Sequence, residues 1–258
     1  MTASSPLFDI SNERILVTGA TSGLGLHFTH LLARHGAKLA LSARRKDKLD
    51  ALVAEIKGAG GEAHAVAIDV ISGESVRSGL AEADEKLNGI SVLINNAGIA
   101  IVKPILEYTE EEWDQVVGTN LRGAWLMAQG AAKAMVARKA GGNIVNIASV
   151  LGLRPIGQVP AYTAAKAGLI HLSKTMAMEL AKENIRVNVL APGYVETEMN
   201  RPFWSSKGGL ALISRIPQKR VGQPEDLDGA LLLLTSQASR AMTGSVVVVD
   251  GGHLCSTM

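Results

Sequence analysis

The chain has 258 residues, 47% of them hydrophobic, and its 26 basic and 24 acidic residues give a formal net charge of +2. This length and composition favour one large globular domain, and the interspersed charges exclude a nucleic-acid-binding tail. Because no apolar run approaches the roughly 20 residues that cross a bilayer, no leader-like N-terminus is evident and the only cysteine is Cys255, we expect a soluble, cytoplasmic protein with neither disulfides nor a membrane partner.

Short apolar strands alternate with amphipathic helices along the chain, which is typical of βαβ units. The predicted strands are residues 14–18, 38–42, 63–68, 91–94, 143–148, 186–191 and 245–249. The predicted helices are residues 24–35, 47–57, 75–87, 110–138, 160–182 and 224–235. This order predicts an α/β fold: a single-domain, Rossmann-like, doubly wound sheet of about seven mainly parallel strands over residues 1–258, with helices on both faces.

One segment breaks this alternation. Residues 196–217 contain Phe203, Trp204 and a Ser-Ser-Lys-Gly-Gly run but no clear strand. Long segments of this kind in compact domains are often functional lids, and this one follows a strand end, where ligands bind in open α/β sheets. We therefore predict a substrate lid near residues 194–217, with a surface excursion held by a few buried anchors as the alternative.

A glycine-rich turn joins the first strand to the first helix, in the sequence Thr18-Gly19-Ala20-Thr21-Ser22-Gly23-Leu24-Gly25. Glycines at positions 19, 23 and 25 permit a tight turn and let a pyrophosphate approach the backbone amides at the helix N-terminus. The spacing is Gly-x-x-x-Gly-x-Gly rather than Gly-x-Gly-x-x-Gly. Its place in the first βα turn of a doubly wound sheet predicts a dinucleotide site.

A second constellation carries acid–base chemistry. Tyr162 and Lys166 lie one helical turn apart, and Ser149 follows the fifth predicted strand. A free phenol has a pKa of about 10, and we expect an ammonium on the same helix face to lower it toward the working range. Ser149 can hydrogen-bond a substrate oxygen. The trio suits acid catalysis of carbonyl reduction, although the Tyr-Lys spacing alone also fits an alanine-rich helix without a function.

Taken together and in order, these motifs resemble those of the short-chain dehydrogenases/reductases, of the soluble single-domain kind, over essentially the whole chain. The matching features are the glycine turn, Asp69, Asn95-Asn96-Ala97-Gly98, Asn120, Ser149, Tyr162-x-x-x-Lys166 and Pro192-Gly193-x-x-x-Thr197. The resemblance implies catalytic roles for four residues. Tyr162 would transfer the proton, Ser149 would orient the carbonyl, Lys166 would bond the nicotinamide ribose, and Asn120 would support a proton path to Lys166.

The resemblance also implies a cofactor site. Asp69 and Asn95 would hold the adenosine side, and the Pro192-Gly193 segment would border the nicotinamide. The implied cofactor-binding residues are Gly19, Thr21, Ser22, Gly23, Leu24, Gly25, Ser42, Arg44, Arg45, Asp69, Val70, Asn96, Ala97, Gly98, Tyr162, Lys166, Pro192, Gly193, Val195 and Thr197.

The charge after the second strand bears on cofactor preference. NAD-using enzymes commonly place a carboxylate there, whereas a 2′-phosphate requires a cation. This chain has Ala43-Arg44-Arg45, and an arginine can fork onto phosphate. We predict NADP(H), mainly through Arg44 with Ser42 and Arg45 assisting, while NAD(H) stays possible because Ser22 occupies a position where some NADP-using relatives carry a basic residue.

The predicted reaction is reversible hydride transfer between nicotinamide and a carbonyl or secondary alcohol of a small-molecule substrate. One alternative is an NADP(H)-binding sensor or scaffold without catalysis, and another is epimerisation or dehydration of a nucleotide sugar, for which the resemblance implies a longer C-terminal region. His27 and His30 lack further ligands at metal spacing, so no metal site is predicted.

Two further expectations concern the surface and the pocket. The helices around 125–135 and 167–180 are apolar on more than one stripe, which favours a homo-oligomer, either a dimer or a tetramer. The predicted pocket residues are Leu151, Leu153, Gln158, Val159, Tyr194, Phe203 and Trp204. They suggest a partly apolar substrate without separating a 3-oxoacyl thioester from a cyclic ketone, a steroid, a sugar or a xenobiotic carbonyl.

Overall fold

A computed structural model describes residues 6–198 and 200–256, and it contains one parallel sheet. Its strands are β1 (Arg14–Thr18), β2 (Lys38–Ala43), β3 (Glu62–Ala67), β4 (Val92–Asn95), β5 (Gly142–Ile147), β6 (Ile185–Pro192) and β7 (Val246–Val249). They lie in the order β3-β2-β1-β4-β5-β6-β7, with every neighbouring pair parallel. The predicted doubly wound α/β fold is confirmed. The strand order reverses between β1 and β4, which opens a crevice at their carboxyl ends.

Helices cover both faces of the sheet. They are α1 (Gly23–Arg34), α2 (Lys46–Gly58), α3 (Gly73–Lys86), α4 (Glu110–Val117), α5 (Ala124–Ala137), α6 (Pro160–Leu180), α7 (Arg201–Trp204), α8 (Lys207–Ile213) and α9 (Asp228–Thr235). The helices α1, α2 and α9 pack on one face, and α3, α5 and α6 pack on the other. None of the helices in the described part of the chain combines the length and hydropathy that a membrane crossing requires.

The strands read as nearly continuous apolar runs because both faces of the sheet are buried. In β1, Ile15 and Val17 face the α1 side, whereas Leu16 faces the α3 side, and all three are fully buried. Burying a side chain of this kind contributes about 1.5–3 kcal/mol. The two apolar layers hold the sheet rigidly, so the loops at its carboxyl edge start from fixed positions.

The helix predicted over 110–138 is three segments rather than one. A capping box starts α4, in which Thr109 accepts a bond from the Glu112 amide and the Glu112 carboxylate accepts one from the Thr109 amide. A π-helical turn, Gly118–Gly123, then leads into α5. A Cβ at Gly123 would lie 2.9 Å from Val70 Cγ2, so this glycine lets the turn approach the end of β3. Such π-helical turns often occur at functional sites.

The segment predicted as an irregular lid contains two short helices, α7 and α8. Asn200 organises its first part. The Asn200 Oδ1 accepts bonds from the Thr197 amide at 2.7 Å and from Trp204 Nε1 at 2.9 Å, and its Nδ2 donates to the Val195 carbonyl at 2.9 Å. Trp204 is buried as a result. The segment therefore has a defined conformation beside the end of β6.

Candidate active site

The turn after β1 packs directly on the loop after β4. Gly19 has a φ of +66°, and a Cβ there would lie 3.0 Å from Ala97 Cα. A Cβ at Gly25 would overlap the carbonyl oxygen of Gly19. The Thr18 hydroxyl fastens the two loops, since it accepts bonds from the amides of Asn96 and Ala97, both at 2.9 Å. These contacts form the floor of the crevice, and only glycine fits positions 19 and 25.

The first turn of α1 offers backbone amides to an anion. Ser22 is the N-cap residue, is exposed, and makes no side-chain bond to the helix amides. Helix N-terminal amides that lack a side-chain cap attract phosphate groups. Gly23 and Leu24 begin the helix beside the crevice, and a Cβ at Gly23 would come within 3.9 Å of Thr197 Cγ2 on the lid side. Together with half-buried Thr21, this cradle fits the pyrophosphate of a dinucleotide.

Two residues predicted for the adenosine side occupy different surroundings. Asp69 is half-buried after β3, and its carboxylate accepts a bond from the Ile71 amide at 3.2 Å. Asn95 is buried, and its Nδ2 donates to the Ala124 carbonyl at 2.7 Å and to Asn146 Oδ1 at 3.0 Å. Asn95 therefore ties β4 to α5 and β5 inside the protein, and this geometry does not support its expected contact with adenosine.

The residues at the end of β2 and directly after it differ in their exposure to solvent. Arg44 and Arg45 are exposed, and neither forms an ion pair within residues 6–198 and 200–256. Ser42 is only 1% exposed, and its hydroxyl is buried without a hydrogen-bond partner among the described residues. The two arginines can reach a ligand at this edge, whereas the geometry does not support the assistance expected of Ser42.

The three residues predicted to be catalytic come together from the end of β5 and from α6. Ser149 caps a short 3₁₀ turn, and its Oγ accepts a bond from the Leu151 amide at 3.1 Å. Tyr162 lies in the first turn of α6, which begins with Pro160 at a position where proline is favoured. Lys166 is 4% exposed, and its Nζ lies 5.6 Å from the centre of the Tyr162 ring. Ser149 and Tyr162 line one cleft, and Lys166 is not among the residues that line it.

Burial moves the pKa values of this trio. The sequence predicts a lowered pKa for Tyr162, but in the structure burial raises the pKa of this phenol, and the Ser149 hydroxyl opposes that shift. Burial also lowers the pKa of Lys166 to about 8, because the charged form loses hydration. At neutral pH the phenol is therefore protonated and the lysine is still largely charged. This is the protonation state that donates a proton to a carbonyl oxygen.

Asn120 lies in the π-helical turn, fully buried beside the loop after β4. Its Nδ2 donates to the Ile99 carbonyl at 2.6 Å, and its Oδ1 accepts from the Ile99 amide at 2.9 Å. A Cβ at Gly98 would lie 2.5 Å from Asn120 Oδ1 and 3.6 Å from Lys166 Nζ. Asn120 thus holds the Gly98–Ile99 segment against Lys166. Its role in a proton path stays a prediction.

A cleft of about 240 Å³ opens at the carboxyl ends of β5 and β6. It brings together several predicted site residues from distant parts of the chain. Its walls are Leu24, Ala148, Ser149, Val150, Leu151, Tyr162, Pro192, Gly193, Tyr194, Val195, Thr197, Asn200 and Trp204. Four residues predicted for the pocket do not line it: Leu153, Gln158 and Phe203 are exposed, and Val159 is buried in the protein.

The sequence did not predict the roles of three residues that support the site. Thr18 fastens the glycine turn, and Asn200 organises the lid, as described above. Arg154 donates to the carbonyl of His253 at 2.9 Å and so ties the C-terminal segment to the loop after Ser149. The His253 ring packs edge-on against Tyr194 at 5.2 Å. Only the position of Thr18, directly before the turn, offered a sequence signal.

The histidines of α1 serve helix packing. His27 Nε2 lies 2.6 Å from Asp228 Oδ1 on α9, and His30 Nε2 lies 3.8 Å from Glu55 Oε1 on α2. Over residues 6–198 and 200–256, no three His, Cys, Asp or Glu side chains are grouped in a way that could hold a metal ion. These contacts account for the His27–His30 pair in the sequence.

Comparison with known proteins shows the family of this chain. The family model for short chain dehydrogenases matches residues 13–208. The 3-oxoacyl-[acyl-carrier-protein] reductase of Thermotoga maritima is 38% identical over 237 residues, which cover 92% of this chain and 96% of the relative. A short-chain type dehydrogenase/reductase from Mycobacterium marinum superposes with a TM-score of 0.90 at 42% identity, over 96% of this chain and 98% of that one. A gluconate 5-dehydrogenase from Burkholderia cenocepacia, solved with NADP and tartrate, gives a TM-score of 0.93 at 33% identity, over 97% and 98%. The chain belongs to the short-chain dehydrogenase/reductase family and is an NAD(P)-dependent oxidoreductase acting on hydroxyl and carbonyl groups.

Proposed function

We propose that this protein is an NADP(H)-dependent carbonyl reductase and secondary alcohol dehydrogenase for ketones or 3-oxoacyl groups, with Tyr162 as the acid and base. One observation carries the proposal. Tyr162 and Ser149 line the same cleft as Pro192, and buried Lys166 has its Nζ 5.6 Å from the centre of the Tyr162 ring. A sensor or scaffold that only bound the dinucleotide would not need these three side chains together.

When bound, the nicotinamide cofactor supplies or accepts the hydride at its ring. The protein handles the charge and the proton. As negative charge builds on the carbonyl oxygen, the hydroxyls of Ser149 and Tyr162 donate to it. Ser149 Oγ already accepts a bond from the Leu151 amide, which fixes the oxygen and leaves its hydrogen available for the substrate. Tyr162 then transfers its proton, and the Lys166 ammonium stabilises the phenolate that results.

The preference for NADP(H) follows from the edge of the sheet beside β2. The glycine cradle and the uncapped α1 amides fit the pyrophosphate, and Arg44 and Arg45 are exposed where a 2′-phosphate needs a cation. Charge-assisted bonds from an arginine fork favour the phosphorylated cofactor. The relative from Burkholderia cenocepacia, which was solved with NADP, is consistent with this preference.

The test is a panel of ketones and secondary alcohols monitored by nicotinamide absorbance with both cofactors, together with Tyr162→Phe. Removing the transferable proton is expected to lower turnover at least about 100-fold while cofactor affinity is retained. Tyr108→Phe is the matched control, because the Tyr108 hydroxyl donates to the Ile101 carbonyl outside the cleft. Near-wild-type turnover by Tyr162→Phe would refute the role of Tyr162. Cofactor binding without turnover of any substrate would favour the sensor or scaffold.

We also propose that the protein is a homo-oligomer, a dimer or tetramer, joined through α5 and α6. Trp125 and Val136 on α5 remain 38% and 36% exposed, and they adjoin Leu172, Met176 and Leu180 on α6. A contiguous apolar surface of this kind marks an association site. The partner we propose is a second copy of the chain, because a two-fold symmetric dimer pairs the same surface of both molecules and α5 and α6 are long enough to lie against each other.

A further inference from the structure

The wall of the substrate cleft consists mainly of carbon. Among the described residues that line it, none is charged. The described lining includes Val150, Leu151 and Trp204, and it shares Leu24, Pro192 and Val195 with the predicted cofactor site. A substrate group placed against this wall gives up its hydration to apolar surface.

Few polar side-chain atoms of the wall are available to a substrate. Both polar atoms of the Asn200 side chain are engaged, with Thr197, Trp204 and Val195 as described above, and the Trp204 ring nitrogen donates to Asn200. The Tyr194 hydroxyl has no hydrogen-bond partner among the described residues, but it is buried and so does not face the cleft. The hydroxyls left to meet a substrate are those of Ser149 and Tyr162, which act on the reacting oxygen, and that of Thr197.

No cation lies among the described residues that line the cleft, although the charge of exposed Arg215, outside the lining, opposes the rise in the pKa of Tyr194, which does line it. Lys166 donates to the Ile147 carbonyl at 2.7 Å, and Lys103 pairs with Glu112 at 2.9 Å. Arg154 donates to backbone carbonyls of the C-terminal segment. A carboxylate held against this lining would lose hydration without a cation among the lining residues to pair with it, which is costly. A polyhydroxylated chain would leave several hydroxyls without partners, with a similar penalty.

We propose that the substrates are uncharged ketones and secondary alcohols with aliphatic or aromatic groups beside the reacting carbon, and that the cleft rejects carboxylates and polyhydroxylated sugar acids at that position. This inference rests on the proposed carbonyl reductase function and names its substrate class. The inference distinguishes the two substrate classes that the names of the relatives give. A 3-oxoacyl group fits the apolar wall, and a gluconate does not.

A matched substrate pair tests the inference. Ethyl acetoacetate and acetoacetate present the same ketone, and they differ in whether the neighbouring carboxyl group is esterified or charged. We expect kcat/KM with NADPH to be at least about 100-fold higher for the ester, and reduction of 5-keto-gluconate to be weaker still. Equal values, or a preference for acetoacetate or 5-keto-gluconate, would overturn the inference. Failure of every ketone and alcohol in the wider panel would instead overturn the proposed function beneath it.

A charge added to the wall gives a second, independent measurement. Leu151→Arg places a cation in the cleft, and we expect it to reduce the ester-to-carboxylate ratio at least about tenfold. Leu153→Arg is the matched control, because Leu153 is 45% exposed on the same loop and does not line the cleft. The control is expected to keep the wild-type ratio. If both variants change the ratio equally, or neither does, the wall does not set the preference and the inference fails.

Discussion

The ammonium group of Lys166 donates a hydrogen bond to the carbonyl oxygen of Ile147 at 2.7 Å. Ile147 is the last residue of β5, immediately before the short segment that carries Ser149. The bond therefore ties the helix that carries Tyr162 to the strand that positions the serine. It also holds a charged group in the interior, and several consequences of that burial can be measured.

The first prediction concerns stability and pH. Burial lowers the pKa of Lys166 to about 8, so above this pH the folded protein has released a proton that the unfolded chain still binds up to its ordinary value of 10.5. Stability must therefore rise with pH in this window. Relative to Lys166→Met, the wild type is expected to gain about 2 kcal/mol in free energy of unfolding between pH 8 and pH 10. Urea unfolding at fixed protein concentration measures this difference, and a pH-independent difference would contradict the shift.

The second prediction concerns Asn120. Asn120→Ala removes both bonds to the Ile99 backbone from a fully buried position. We expect a loss of about 1–3 kcal/mol in stability, because the Ile99 groups lose their partners, and a lower kcat because Gly98 no longer packs firmly beside Lys166. Thermal unfolding and steady-state kinetics provide the readouts. Asn12→Ala, in an exposed turn, should change neither. An unchanged melting temperature for Asn120→Ala would argue against the positioning role.

The third prediction uses two glycines as a pair. Gly25→Ala forces a Cβ into the carbonyl oxygen of Gly19, so the turn must move. We expect a loss of about 1–3 kcal/mol in stability together with weaker cofactor binding. Gly58→Ala meets no atom within 4 Å at the end of α2 and should be neutral or stabilising by about 0.5–1 kcal/mol. Fluorescence titration with NADPH measures the cofactor affinity of the two variants. Equal affinity in Gly25→Ala and Gly58→Ala would mean that the turn does not bind the pyrophosphate.

The fourth prediction concerns cofactor choice. Arg44→Ala removes an exposed guanidinium with no carboxylate partner among the described residues. The KM for NADPH is expected to rise about 10- to 100-fold with little change for NADH, since only the 2′-phosphate loses a charge-assisted bond. Arg34→Ala, an exposed arginine in the last turn of α1, serves as the control. The same cofactor preference in Arg44→Ala and wild type would exclude this role.

The fifth prediction concerns assembly. Trp125→Glu places a charge in the middle of the apolar surface on α5 and α6, and we expect a smaller assembly by light scattering after gel filtration. Leu210→Glu introduces the same charge at an exposed leucine of the lid and should leave the mass unchanged. A wild-type protein that is monomeric at micromolar concentration would rule out the proposed interface.

Much of the fold follows from local pattern. Apolar runs in β1 and β5 mark strands buried on both faces, and the glycine turn marks the first βα crossing. The break in the helix at Gly118–Gly123 was not predictable, because π-helical and α-helical turns use the same residue types. The two short lid helices were missed for a related reason. Asn200 holds Trp204 of α7, and Ser206 caps the start of α8 through the Gly209 amide.

The class of fold, the glycine turn and the presence of a tyrosine and a lysine on one helix face could be predicted from the chain alone, because they depend on spacing along it. Tertiary structure decided which groups meet. It turned Asn95 into the interior, buried Ser42, set Lys166 against Ile147 and engaged the polar atoms of Asn200 within the lid. Hydrogen bonding and desolvation act between residues far apart in sequence, so the pKa values and the apolar character of the cleft depend on how the elements pack.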